Sequence, residues 1–171
     1  MFQDEARFGR MSDPGACWAP TPIRPVVGLS LVREFVYAYG AVSPVEGDFD
    51  WMIADKMNTE MMEQFLDQIE DHFPGDFIIM VMDGASSHTT KELTKRENLV
   101  PLILPPYSPE LNPVEIIWDG LRERWFTNRV FESLDAVRKQ VAIAMEAFAD
   151  DHRAVSRLTA WPWIMQAIVS S

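Results

Sequence analysis

Six consecutive apolar residues, Phe77 to Met82, stop at a carboxylate, Asp83, with Gly84 behind it. An apolar run of that length, bounded by turn residues, suits a strand covered on both faces. Such a strand points to an α/β domain. Asp83 then sits at the strand's C-terminal edge, where open α/β sheets place their chemistry.

A second run, Leu104-Pro105-Pro106-Tyr107-Ser108-Pro109-Glu110-Leu111-Asn112-Pro113-Val114-Glu115, reads as a strand end, a proline-stiffened loop and a helix start. Asn112 is a good N-cap, Pro113 suits the first helical position, and Glu115 falls in the first turn. A carboxylate on a strand tip and another on a helix start can share one divalent cation. A third acid lies at the beginning, in Phe2-Gln3-Asp4-Glu5, where a first strand would end. Side chains alternate faces along a strand, so only one of Asp4 and Glu5 can point into a common site.

The rest of the chain supplies a scaffold. Residues 1–5 read as the first strand, and residues 6–32 as irregular, interrupted by Pro14, Gly15, Pro20, Pro22, Pro25 and Gly28. Arg33 to Val42 and Phe49 to Ala54 read as a hairpin of strands about a Pro44–Gly47 turn. Asn58 or Thr59 caps a helix to His72, with Met61, Met62, Phe65, Leu66 and Ile69 on one face and Pro74-Gly75 as its stop. A short helix around Thr90 to Arg96 leads to a fifth strand, Leu99–Leu104. A third helix runs from Pro113 to Thr127, and a fourth starts at a Ser133 cap. We divide the chain into a domain over residues 1–150 and an apolar tail over 151–171 that docks on that domain or on a partner.

The chain has 171 residues, 47% of them hydrophobic, enough to bury a core as one domain. Its one cysteine, Cys17, excludes an internal disulfide and a multi-cysteine zinc site, and fits a reducing, cytoplasmic setting. No apolar run approaches the ~20 residues of a membrane span. The net charge of −11 argues against autonomous nucleic-acid binding, but it is unevenly spread. Ten acids between Glu46 and Asp76 face Lys56 alone, leaving only −2 for everything else. Arg122, Arg124, Arg129, Arg138 and Lys139 form a loose basic stretch near Glu115.

Asp4-Glu5-Ala6-Arg7-Phe8, Asp83 through His88, and the proline-rich run through Asn112-Pro113-Val114-Glu115 to Trp118 together resemble the catalytic domain of IS630-type transposases. That group is related to the Tc1/mariner elements within the DDE superfamily. The resemblance covers residues 1 to about 140 and implies a ribonuclease-H-like α/β fold, a mixed five-stranded sheet flanked by helices. It implies Asp4, Asp83 and Glu115 as the catalytic, metal-binding acids, holding two Mg²⁺ ions (or Mn²⁺) for DNA phosphodiester cleavage and strand transfer. His88, Tyr107 and Asn112 become candidate substrate contacts, and Asp119 a partner for Arg122 rather than for metal. Relatives usually carry asparagine where Gly84 stands, which removes a possible hydrogen bond.

The implied partners are DNA, at transposon ends and target, and a second copy of the chain in the active complex. Full-length relatives place helix–turn–helix modules before this domain. Such a region is expected on a separate polypeptide or lost, since residue 1 lies almost at the first catalytic strand. Each proposed site residue also has a plainer reading. Asp83-Gly84 is an ordinary turn, Asn112 to Glu115 a capping box, and a lone histidine a hydrogen-bonded structural group. Two other functions fit the same residues: a metal nuclease without strand transfer, and a non-catalytic remnant acting as an interaction module.

Overall fold

The computed structural model describes residues 1–12, 14–84 and 93–169. It opens with three antiparallel strands, β1 (Phe2–Gly9), β2 (Phe35–Val42) and β3 (Phe49–Ala54). Helix α1 (Thr59–His72) follows, then β4 (Ile78–Met82) and β5 (Leu99–Ile103). The five form one sheet in the order β3-β2-β1-β4-β5, with β4 parallel to both neighbours. This is the expected mixed α/β sheet, and it places β1 and β4 side by side at its centre.

Helix α1 starts where Asn58 accepts the Met61 amide at 3.0 Å. Its buried residues Met62, Phe65, Leu66 and Ile69 follow helical spacing and pack on Tyr39, Ala41, Met80 and Met82. The other sheet face is covered by α2 (Val114–Leu121), α3 (Leu134–Ala149), α4 (His152–Thr159) and α5 (Pro162–Val169). Ser133 caps α3 by accepting the Ala136 amide at 3.1 Å. Trp118 is fully buried in this second core, edge-on to Phe8 and to Phe49, each at 6.2 Å between ring centres. Gly40 lies beneath it, where a Cβ would come within 2.7 Å of the indole.

The structure corrects the sequence reading in four places. Strand β1 continues beyond residue 5 to Gly9, because it pairs with β2 along its whole length and buries Ala6 and Phe8. Strand β4 is fully covered on one face only, with Val81 alone partly buried on the other. Ile78, Met80 and Met82 are buried, whereas Ile79 is half exposed because α2 and α3 pack over β1, β2 and β3, leaving β5 and part of β4 bare on that side. The expected helix around Thr90 to Arg96 lies partly outside the described residues, and its described end, from Leu93, is irregular. The third helix leaves α geometry after Leu121 and finishes as a π-helical turn, Arg122–Phe126.

The segment after residue 150 forms two short helices, which the sequence reading did not separate. Val155, Thr159 and Ile164 are buried, and Trp163 meets Phe2 edge-on. Among the described residues no helix is long and apolar enough to cross a membrane.

Candidate active site

Phe2 pairs with Val81 across the parallel β1–β4 ladder. Two residues further along these strands come Asp4 and Asp83, so the ladder brings two acids remote in sequence to the same sheet edge. Helix α2 is tied to that edge by Asn112. Its Nδ2 donates to the Gln3 carbonyl at 2.9 Å, while its Oδ1 accepts the Val114 amide at 3.2 Å. Glu115 is thereby delivered to the same place. Asp4, Asp83 and Glu115 line one open pocket of about 410 Å³, together with Gly84, the Leu104–Pro109 loop and Asn112.

The strand's alternation separates the two acids at its start. Asp4 is 9% exposed and lines the pocket, whereas Glu5 is not among the lining residues and its charge is felt by Tyr39 in the other core. The capping box open to Glu115 is not formed. The Asn112 amide donates instead to the Pro109 carbonyl at 2.9 Å, and α2 begins one residue later than expected, at Val114. Asn112, offered as a substrate contact, is 3% exposed and has both ends of its side chain engaged within the protein. Tyr107 sits on the pocket rim, fully exposed, with a left-handed backbone (φ 58°). His88 lies outside the described residues. Asp119 pairs with Arg122 at 3.5 Å, as expected.

Electrostatics couple the acids. Burial, then the charges of Glu115 and Glu5, push Asp4 from its ordinary 3.8 up to about 7. Burial also raises Glu115, with Asp119 and Asp83 adding to the effect and Arg122 opposing it. Trp118 does more than fill the second core. Its indole N–H in fact donates to Asp4 Oδ2 at 2.9 Å, orienting the most buried acid of the pocket. The signal available in the sequence was its spacing, three residues after Glu115 and so on the neighbouring helical face.

The chain also matches a known nuclease family. The model of the DDE superfamily endonucleases matches residues 1–138. The chain belongs to that superfamily. A protein of Sinorhizobium fredii (strain NBRC 101917 / NGR234) named y4pE/y4sA is 32% identical over 117 residues, covering 68% of this chain and 87% of the relative. Among solved structures, the catalytic domain of Mos1 mariner transposase superposes with a TM-score of 0.57 at 13% identity, covering 93% of this chain and 78% of that one. The Mos1 paired-end complex with Mn gives 0.64 at 13% identity, covering 93% and 53%. This chain thus spans about half the length of the Mos1 chains in such complexes. The superposition establishes the ribonuclease-H-like fold. The family match over residues 1–138 bears out the expected kinship with the DDE superfamily.

A divalent cation fits the donor set of this acidic pocket. All three acids offer oxygen, and a cation would favour the ionised forms that burial and neighbouring carboxylates disfavour at Asp4 and Glu115. Among the described residues no three His, Cys, Asp or Glu are gathered tightly enough to clasp an ion by themselves. Mg²⁺ does not require such a cage, since it keeps several waters and binds through one or two carboxylates plus substrate phosphates.

Proposed function

We propose that this chain is the catalytic part of a DNA transposase, cutting phosphodiesters at element ends and joining the freed 3′-hydroxyl to target DNA. The observation that carries this reading is the convergence of Asp4, Asp83 and Glu115, from two strands and a helix, on one pocket. In support, Mos1 was solved with a left transposon end, with Mn and with Mg.

In this reading Asp4, Asp83 and Glu115 would hold two Mg²⁺ or Mn²⁺ ions. Bound there, such ions supply Lewis-acid activation of the attacking oxygen and stabilisation of the leaving one. The protein's own part is positional. Trp118 fixes one oxygen of Asp4, Asn112 sets the height of α2 and so of Glu115, and the rigid Pro105-Pro106 segment walls the pocket. Tyr107 offers a fully exposed ring to the substrate at the rim. Element-end recognition would fall to a helix–turn–helix region like that of full-length relatives, on the same or a separate polypeptide, and the active complex would be a homodimer.

Calorimetric titration of Mg²⁺ and Mn²⁺ into the chain, with and without a short DNA duplex, tests the site. The wild type should bind metal in at least one condition and Asp83→Asn in neither. Folded wild-type protein that takes up no metal even with DNA present would overturn the catalytic reading and leave an interaction module. Appearance of a strand-transfer product would then separate a transposase from a plain metal nuclease.

A further inference from the structure

A second pocket, of about 330 Å³, lies beyond the first along β1 and α2. Arg7, Arg122 and Arg129 line it, and no Asp or Glu among the described residues does, in a chain whose net charge is −11. Its arginines are held in place by their neighbours. Arg7 lies over the Phe35 ring at 5.0 Å, Arg122 lies over Phe8 at 5.6 Å and also meets the exposed Asp119 at 3.5 Å, and Arg129 donates to Gln140 Oε1 at 2.7 Å. Guanidinium groups stacked in this way keep their planar fork of donors for an anion, and less entropy is lost when one binds. Other members of the basic stretch do not line this pocket. Arg138 pairs with Asp55, Lys139 pairs with Asp135 at 2.6 Å, and Arg124 covers Trp125.

The placement gives this pocket a distance from the acids. Asp4 and Phe8 are four residues apart on one face of β1, roughly 13 Å at the usual strand rise. Glu115 and Arg122 are two turns apart along one helical stripe, about 10 Å. Those lengths match the rise of about three or four stacked nucleotides.

We propose that this pocket is a phosphate subsite, which takes a backbone phosphate of the DNA strand three or four nucleotides from the bond cut in the acidic pocket. The inference rests on the DNA-cleaving reading and adds what that reading lacks. An acidic pocket in an acidic chain repels DNA, and a separate cationic hold offsets that repulsion at a fixed distance.

The test is fluorescence anisotropy of a labelled DNA duplex, titrated with the full chain over a range of salt concentrations. Three proteins are compared: wild type, Arg7→Gln/Arg129→Gln, and a charge-matched control, Arg153→Gln/Arg157→Gln, whose exposed arginines lie on α4. The pocket double variant should bind more weakly and lower the salt slope of log K by about 1.8, two phosphate contacts at about 0.9 each, while the control changes it far less. Equal losses in both variants, or no DNA binding by the wild type at low salt, would overturn the subsite. Inorganic phosphate titrated alone reads the other source of the same anion. Phosphate binding that the pocket variant abolishes, with DNA affinity unchanged, also overturns the proposal. Asp83→Asn reports separately on the catalytic reading: if that variant keeps metal-dependent cleavage, the reading fails whatever the binding data give. If cleavage needs Asp83 while DNA affinity ignores Arg7 and Arg129, the subsite alone fails.

Discussion

Asp4 is a carboxylate that burial and its neighbours hold close to neutrality. Its proton is bound more tightly in the folded state, at about 7, than in the unfolded chain, at 3.8. The sign follows: folding takes no penalty from Asp4 below about pH 4, loses stability as pH rises toward 7, and carries the full penalty above it. Asp4→Asn cannot ionise, yet its side-chain oxygen can still accept the Trp118 N–H. Thermal unfolding should therefore find this variant more stable than wild type at pH 8, by on the order of 2–4 kcal/mol, with the gap closing near pH 4. Saturating Mg²⁺ should narrow the gap at pH 8, because a cation in the pocket stabilises the ionised wild type alone. Gly84, the departure from the family's asparagine, is not demanded by space. A Cβ there meets nothing nearer than Ile103 at 3.6 Å.

At the scale of elements, the start of α2 decides where Glu115 stands. Proline at positions 109 and 113 and the 3₁₀ turn Pro109–Leu111 stiffen the approach, but the tether is the Asn112 side chain. It joins a strand to a helix through two buried hydrogen bonds. Asn112→Ala leaves the Gln3 carbonyl and the Val114 amide buried without these partners, and each such group costs about 1–3 kcal/mol. Urea denaturation should show a loss of about 2–4 kcal/mol, and the surviving folded protein should bind metal more weakly because Glu115 is no longer held at its height. A variant of unchanged stability would mean that the loop prolines alone position the helix. The π turn that follows carries Arg122 to the edge of the second pocket, so one helix serves both pockets.

For the whole molecule, the covering layers are uneven. Helices α2 and α3 sit over β1, β2 and β3, and on that face Ile79 of β4 and Val100 and Leu102 of β5 remain 51%, 44% and 55% exposed. Edge strand β5 carries Pro101, which removes one backbone donor and discourages pairing with another sheet. Leu102→Lys should raise solubility in concentration-dependent light scattering while shifting stability by less than about 0.5 kcal/mol. A loss of several kcal/mol would show that this face is covered in solution. The acidic side is also less uniform than its charge count suggests. Arg96, its side chain 6% exposed, bridges Glu63, Asp67 and Glu70 on α1, so part of the acidic run locks the segment before β5 against that helix.

What the sequence determined by itself was local. The Asn58 and Ser133 caps, the span of α1, strand β3 and the apolar faces of the helices follow from spacing, and the structure reproduces them. The order of the acids and the proline-rich run sufficed to point to the superfamily. Tertiary structure alone decided matters between residues far apart. Trp118 donates to a carboxylate 114 positions earlier, and Asn112 reaches a carbonyl 109 positions earlier. The selection of Asp4 over Glu5 for the pocket likewise needed the far strand. So did the one-sided cover of β4, since an apolar run reads the same whether one face is packed or two. Arg7 and Arg129 meet around one pocket only because β1 and the turn after α2 end at the same edge. Caps and amphipathic faces depend on neighbours within a turn or two, which a linear pattern records. A site depends on which distant elements share an edge, and that is set by how the whole core packs.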